Sequence, residues 1–92
     1  MAVITILEFP GVTRELYERV GASLAAAPRG ILYHACGPTD GGWCIFGIWE
    51  TQAAFDVFTD DVYVPAMQAQ GGSLPSRREV TQAYHAGPVT QA

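Results

Sequence analysis

The sequence predicts an α+β fold: a four-stranded antiparallel sheet with two helices on one of its faces. Three observations predict it. Six short segments follow one another as strand, helix, strand, strand, helix, strand, the order of a ferredoxin-like unit. The third strand, within GGWCIFGIWE at residues 41–50, is apolar on both sides, with Trp43, Ile45, Gly47 and Trp49 pointing one way and Cys44, Phe46 and Ile48 the other. Finally, two helices about 10 Å across shield about 20 Å, the width of four strands about 4.8 Å apart, so the pair conceals a single face. The second face needs another cover. The same face of a second copy supplies one, giving a homodimer whose sheets pack together or curl into a dimeric α/β barrel.

Each element has a local reason. Residues 2–9, AVITILEF, are rich in β-branched side chains and form a first strand that Pro10-Gly11 ends. Thr13 caps a helix over residues 14–26, in which Leu16, Val20 and Leu24 make one apolar stripe; Pro28 and Gly30 stop it. Residues 31–36, ILYHAC, form a second strand, GPTDGG a turn and residues 43–50 the third strand, together a hairpin. Thr51 caps a second helix where Phe55, Phe58 and Val62 recur at i, i+3 and i+7. Pro65 kinks that helix or starts a new short turn, and Gly71-Gly72 closes it. Residues 78–86 alternate weakly as a last strand. One domain therefore spans residues 1–87, and residues 88–92 form a loose tail.

At 92 residues, only roughly 60–65% of the unfolded surface can be buried, so one core gives marginal stability and a partner subunit helps. Charged residues make up 15% of the chain and hydrophobic ones 49%; an average soluble domain is about 25% charged. Apolar surface is thus left over for an interface or a cavity. The net charge is −4 and the five basic residues are all arginine. That balance gives no footprint for nucleic acid or for an anionic membrane, and neither is expected as a partner. The N-terminal apolar run has no basic segment before it and is broken by Glu8 and Pro10, so it reads as neither signal peptide nor membrane span, and the expected location is cytoplasmic. Cys36 and Cys44 read as two small reduced core residues. His34 and His85 fall in no metal-ligand pattern, and the glycines lack the spacing of a phosphate loop, so no metal or cofactor is expected.

Several stretches carry a resemblance: VITILEFPG, LYHACGPTDGGWCIFGIWET, AAFDVFTDDVYVPAM and TQAYHAG, together reaching to about residue 87. The WET followed by AAF is the most telling. The pattern resembles the dimeric α/β barrel proteins related to the antibiotic biosynthesis monooxygenases. Members with known chemistry include cofactor-free oxygenases of aromatic polyketides and heme-degrading enzymes. The positions that hold a Trp and a His in the heme-degrading members carry Phe58 and Gln68 here, which argues against heme degradation. Trp49 matches a Trp of the cofactor-free oxygenases, but their Asn and Tyr fall on Ile45 and Phe55, so their proton-handling groups do not transfer.

His34, in an apolar strand, is the leading catalytic candidate. A neutral imidazole takes a proton near pH 7, and burial would keep it a base. If residues 36 and 43 pair across the turn, His34 faces Ile45 and shares a side with Trp43 and Trp49, the side expected to line the barrel interior; without chemistry it is a hydrogen-bonded core or interface histidine. His85, a second catalytic candidate, either reaches the mouth of the same cavity or is exposed. Trp43 and Trp49 suit stacking on an aromatic ligand and equally suit a sheet interface. Glu8 is a general base in the cavity or a rim residue. In the resembling family the second helix borders the pocket, which implies that Phe58 and Tyr63 shape it.

Two functions follow. The first is a small cofactor-independent monooxygenase-like or proton-transfer enzyme, a homodimer that binds an apolar or aromatic, polyketide-type molecule. The second is a non-catalytic homodimer that binds a small ligand or acts as a structural module.

Overall fold

The computed structural model describes residues 1–89. Residues 90–92 of the expected tail lie outside the described residues. Four strands, β1 (Val3–Pro10), β2 (Ile31–Thr39), β3 (Gly42–Trp49) and β4 (Arg77–Gln82), form one antiparallel sheet in the order β2-β3-β1-β4. The helices are α1 (Arg14–Ser23), α2 (Gln52–Phe58) and α3 (Val64–Ala69), the last two joined through a π-helical turn, Thr59–Tyr63. This is the predicted ferredoxin-like architecture.

The strict alternation of β1 decides which side is covered. Val3, Thr5, Leu7 and Phe9 are buried while the residues between them are half-exposed. Their partners across the ladder, Trp49, Gly47, Ile45 and Trp43, share that side. Val20 of α1, Phe55 of α2, Tyr63 and Met67 of α3 close over it as one core. Each of these large side chains contributes about 1.5–3 kcal/mol by leaving water. The opposite face carries Ile4, Ile6, Phe46 and Ile48, paired across β1 and β3 and only partly buried in a single copy.

The local signals act as expected in part. Thr13 Oγ1 accepts from the Leu16 N–H at 3.2 Å and Thr51 Oγ1 from the Ala54 N–H at 3.1 Å, so both caps form. The first helix ends at Ser23 and not at residue 26. There the Leu24 N–H turns in to Gly21 O and the Ser23 hydroxyl donates to Val20 O at 2.6 Å, which satisfies the last carbonyls and releases Leu24 into extended backbone. Pro65 takes an early position in α3, directly after the π-helical turn, so the helix runs on through it where a break or kink was expected. The last strand stops at Gln82, short of the expected residue 86.

The hairpin is tighter than the GPTDGG reading implied. β2 continues through Pro38 to Thr39, and only Asp40-Gly41 turns. A proline is tolerated there because β2 is an edge strand with one unpaired side. Gly42 is required at the turn: a Cβ would stand 2.0 Å from Phe9 O. The longer strand moves the register, so Cys36 pairs with Ile45 rather than residue 43, and His34 with Gly47. A shift of two residues keeps every side chain on its side of the sheet. Cys36 is exposed and Cys44 half-buried, both as free thiols, so neither is a core residue. No described helix is long and apolar enough to cross a membrane.

Candidate functional site

Between the sheet and the helices of one chain lies a cavity of about 360 Å³, within the size range of small-molecule sites. Leu7, Ile45 and Gly47 line it from the sheet, and Leu24, Phe58 and Tyr63 from the helical side. The wall is overwhelmingly apolar.

Trp49 organises the aromatic part of that wall. Its ring meets Phe55 edge-on at 5.7 Å and Phe58 at 5.6 Å, and Phe58 meets Tyr63 at 5.8 Å. Gly47 leaves the indole its place, because a Cβ at that position would stand 2.8 Å from Trp49 Nε1 and 3.0 Å from Thr5 Oγ1. The extended backbone of Leu24 brings the α1–β2 connection to the rim. The early end of α1 is thus part of how the cavity is built.

Polar groups are few. At the mouth, His34 Nε2 lies 3.2 Å from Tyr17 Oη, and both residues line the cavity. Burial pushes the Tyr17 phenol well above its ordinary pKa, and the neighbouring Cys36 thiol adds to the effect. The phenol therefore stays protonated at neutral pH. It donates to Nε2 when that nitrogen is bare and accepts from it when protonated, so the pair can pass a proton either way. Burial raises Tyr63 as well, with Cys36 again contributing.

The candidate residues separate cleanly. His34, Trp49, Phe58 and Tyr63 come together on the wall. Trp43 is buried on the same side of the sheet but stacks on Tyr17, ring centroids 5.1 Å apart, and does not line the cavity. Glu8 is on the opposite face, ion-paired with Arg77 at 3.4 Å. His85 lies beyond the end of β4 and is exposed. Two further expectations are corrected. The face bearing Trp43, Trp49 and His34 is the helix-covered face, not the interior between two sheets, because the rings of Phe55 and Phe58 interdigitate with Trp49. And His34 is exposed at the mouth, since β2 is the sheet's edge; the expected burial of its imidazole is absent.

Tyr17 and Thr59 were not singled out from the sequence. A signal existed for both: Tyr17 stands three and seven residues before Val20 and Leu24, and Thr59 falls midway between Phe55 and Tyr63. Each continues an apolar stripe with a hydroxyl.

The fold defines a class, the ferredoxin-like α+β proteins, and solved structures share it over nearly their whole length. SnoaB, a cofactor-independent oxygenase from Streptomyces nogalater, is similar over 96% of this chain and 97% of its own, with a TM-score of 0.62 and 17% identity. A candidate antibiotic biosynthesis monooxygenase from Chloroflexus aurantiacus covers 98% of this chain and 100% of its own at a TM-score of 0.66 and 8% identity. Rv0793 from Mycobacterium tuberculosis covers 100% and 99% at a TM-score of 0.58 and 21% identity. At such identities the likeness is one of fold. No family model matches the chain, and no curated protein matches it by sequence.

Proposed function

We propose that this protein is a cofactor-independent, monooxygenase-like or proton-transfer enzyme that acts on an aromatic, polyketide-type small molecule. The observation that carries the reading is the apolar cavity of about 360 Å³ with the Tyr17–His34 pair at its mouth. A planar ring system is held against Trp49 and Phe58, while its acidic O–H or activated C–H meets the Tyr17 hydroxyl. The proton passes to the Tyr17 oxygen as the Tyr17 proton passes to His34 Nε2, leaving an enolate or phenolate.

Loss of that proton makes the molecule electron-rich enough to reduce dioxygen, the only other reactant. A methylene becomes a hydroperoxide by addition of O₂ at the carbanion carbon and return of the proton; loss of water then leaves a ketone. If dioxygen does not react, the same proton relay supports isomerisation or cyclisation. The shared fold with SnoaB supports the oxygenase form.

The open face of the sheet, with Ile4, Ile6, Phe46 and Ile48, supports a homodimer in which a second copy covers it. In this arrangement the cavity belongs to each subunit, and the dimer contact supplies stability.

Oxygen uptake with quinol substrates, comparing the wild type with His34→Ala, tests the assignment. A fall of about 10²-fold or more is expected for loss of a general base. Equal rates would clear His34 of a catalytic role.

A further inference from the structure

The cavity has a neighbour. An open groove of about 510 Å³ is walled by Ala53 and Val57 of α2, by Val62 of the π-helical turn and by the chain that leads into β2. Ala27, Pro28 and Phe58 line the groove and the cavity alike, so at these residues the partition between the two spaces is one residue thick. We propose that Phe58 sets the length of the ligand: it closes the end of the cavity away from the Tyr17–His34 pair, and the site takes a compact ring system while excluding one that carries a chain running on past Phe58.

The register places this end. His34 pairs with Gly47 in the body of the hairpin, whereas Trp49, two residues further along β3, pairs with Ile31 where β2 begins. Two residues of strand span about 7 Å. The Phe58 ring meets Trp49 and not the strand beside His34. A ring held with its O–H at Tyr17 and its body against Trp49 therefore has its far side at Phe58.

Phe58 is built as a fixed wall. Its ring is 5.6 Å from that of Trp49 and 5.8 Å from that of Tyr63, so two aromatic neighbours hold it on the cavity side. Yet Phe58 is only half-buried, while Trp49 and Phe55 are buried, as suits a residue with the open groove on its other side. Beyond it the groove is apolar, with Val57 and Val62 both exposed. A hydrocarbon chain would gain by lying there. The other two members of the partition are small, so Phe58 carries the one large side chain that can be cut back to join the spaces.

This inference rests on the ligand lying in the cavity with its hydroxyl at Tyr17, as proposed above, and the test keeps the two apart. The 4-alkylphenols from 4-ethylphenol to 4-heptylphenol carry the hydroxyl at one end and the chain at the other. Each is titrated by calorimetry into the wild type, Phe58→Leu and Phe58→Ala. Every methylene that fits inside should tighten binding about three- to fourfold, the worth of one buried CH₂. In the wild type that gain should stop at the chain length that meets Phe58. It should continue to longer chains in Phe58→Leu and further still in Phe58→Ala, where the methyl NMR signals of Val57 and Val62 should shift with the long phenols as they do not in the wild type. A gain that runs unbroken to 4-heptylphenol in the wild type, or a break at the same length in all three proteins, overturns Phe58 as the limit while leaving the cavity reading intact. Failure of the wild type to bind any of the phenols overturns both. Should Phe58→Ala not fold, Phe58→Leu decides by the same displacement of the break, because it keeps an apolar side chain and removes only part of its reach.

Discussion

Tyr17 Oη and His34 Nε2, 3.2 Å apart, join the middle of α1 to the edge strand β2 at the mouth of the cavity. The Tyr17 ring is held independently by its stack on Trp43. Tyr17→Phe should therefore keep the fold and lose only the hydroxyl. Turnover should fall by about 10²–10⁴, the usual contribution of a positioned acid or base, while the melting temperature stays nearly constant. Initial oxygen-uptake rates beside a thermal melt give both quantities, and wild-type turnover in the variant would remove Tyr17 from the relay.

Gly47→Ala tests the seat of Trp49. The added Cβ would stand 2.8 Å from Trp49 Nε1, so the indole or the strand must move. The expected cost is about 1–3 kcal/mol, read by urea unfolding, together with weaker binding of aromatic probes. Unchanged stability and unchanged probe binding would mean that the indole does not depend on this glycine.

The buried Tyr63 phenol predicts a pH dependence. Its folded pKa is raised above the ordinary 10.0 by burial, so above about pH 10 the unfolded chain loses this proton while the folded chain keeps it. Stability from this group is complete below about pH 10 and declines as pH rises further, by up to ~1.4 kcal/mol per pH unit. Tyr63→Phe lacks that component. The stability difference between wild type and variant should shift in the variant's favour between about pH 9.5 and 11, the range that brackets the ordinary phenol pKa. Parallel curves across the range would show that Tyr63 is not held protonated.

The half-exposed face of Ile4, Ile6, Phe46 and Ile48 predicts self-association. The wild type should sediment as a dimer, and Ile48→Asp, which places a charge beside the exposed Tyr33 opposite it on β2, should give monomers. A wild type that is monomeric at every concentration would leave the face without the proposed cover.

The architecture was legible because period-2 alternation and paired turn residues are local properties. The β1 run, the caps at Thr13 and Thr51 and the hairpin each follow from neighbours in sequence. What was not legible depends on contacts between distant elements. Alternation sorted His34, Trp43 and Trp49 onto one side, but only the packing of Phe55 and Phe58 against Trp49 determines that helices cover that side. The exposure of His34 follows from the strand order, which puts β2 at the edge. Glu8 looked like a polar residue in an apolar strand until Arg77 of β4 stood beside it. Pro65 marks an irregularity in the second helix, but not that it takes the form of a π-helical turn over Thr59–Tyr63.

The central claim is that the ligand site lies inside each subunit, between sheet and helices. The most direct test is a titration of isotopically labelled protein with 1-tetralone, followed by NMR of side-chain and backbone signals. Saturable shifts should appear at the Trp49 indole N–H, Leu24, Phe58 and Thr59. Shifts confined to Ile4, Ile6 and Glu8 on the open face, or no saturable change at Trp49, would contradict it.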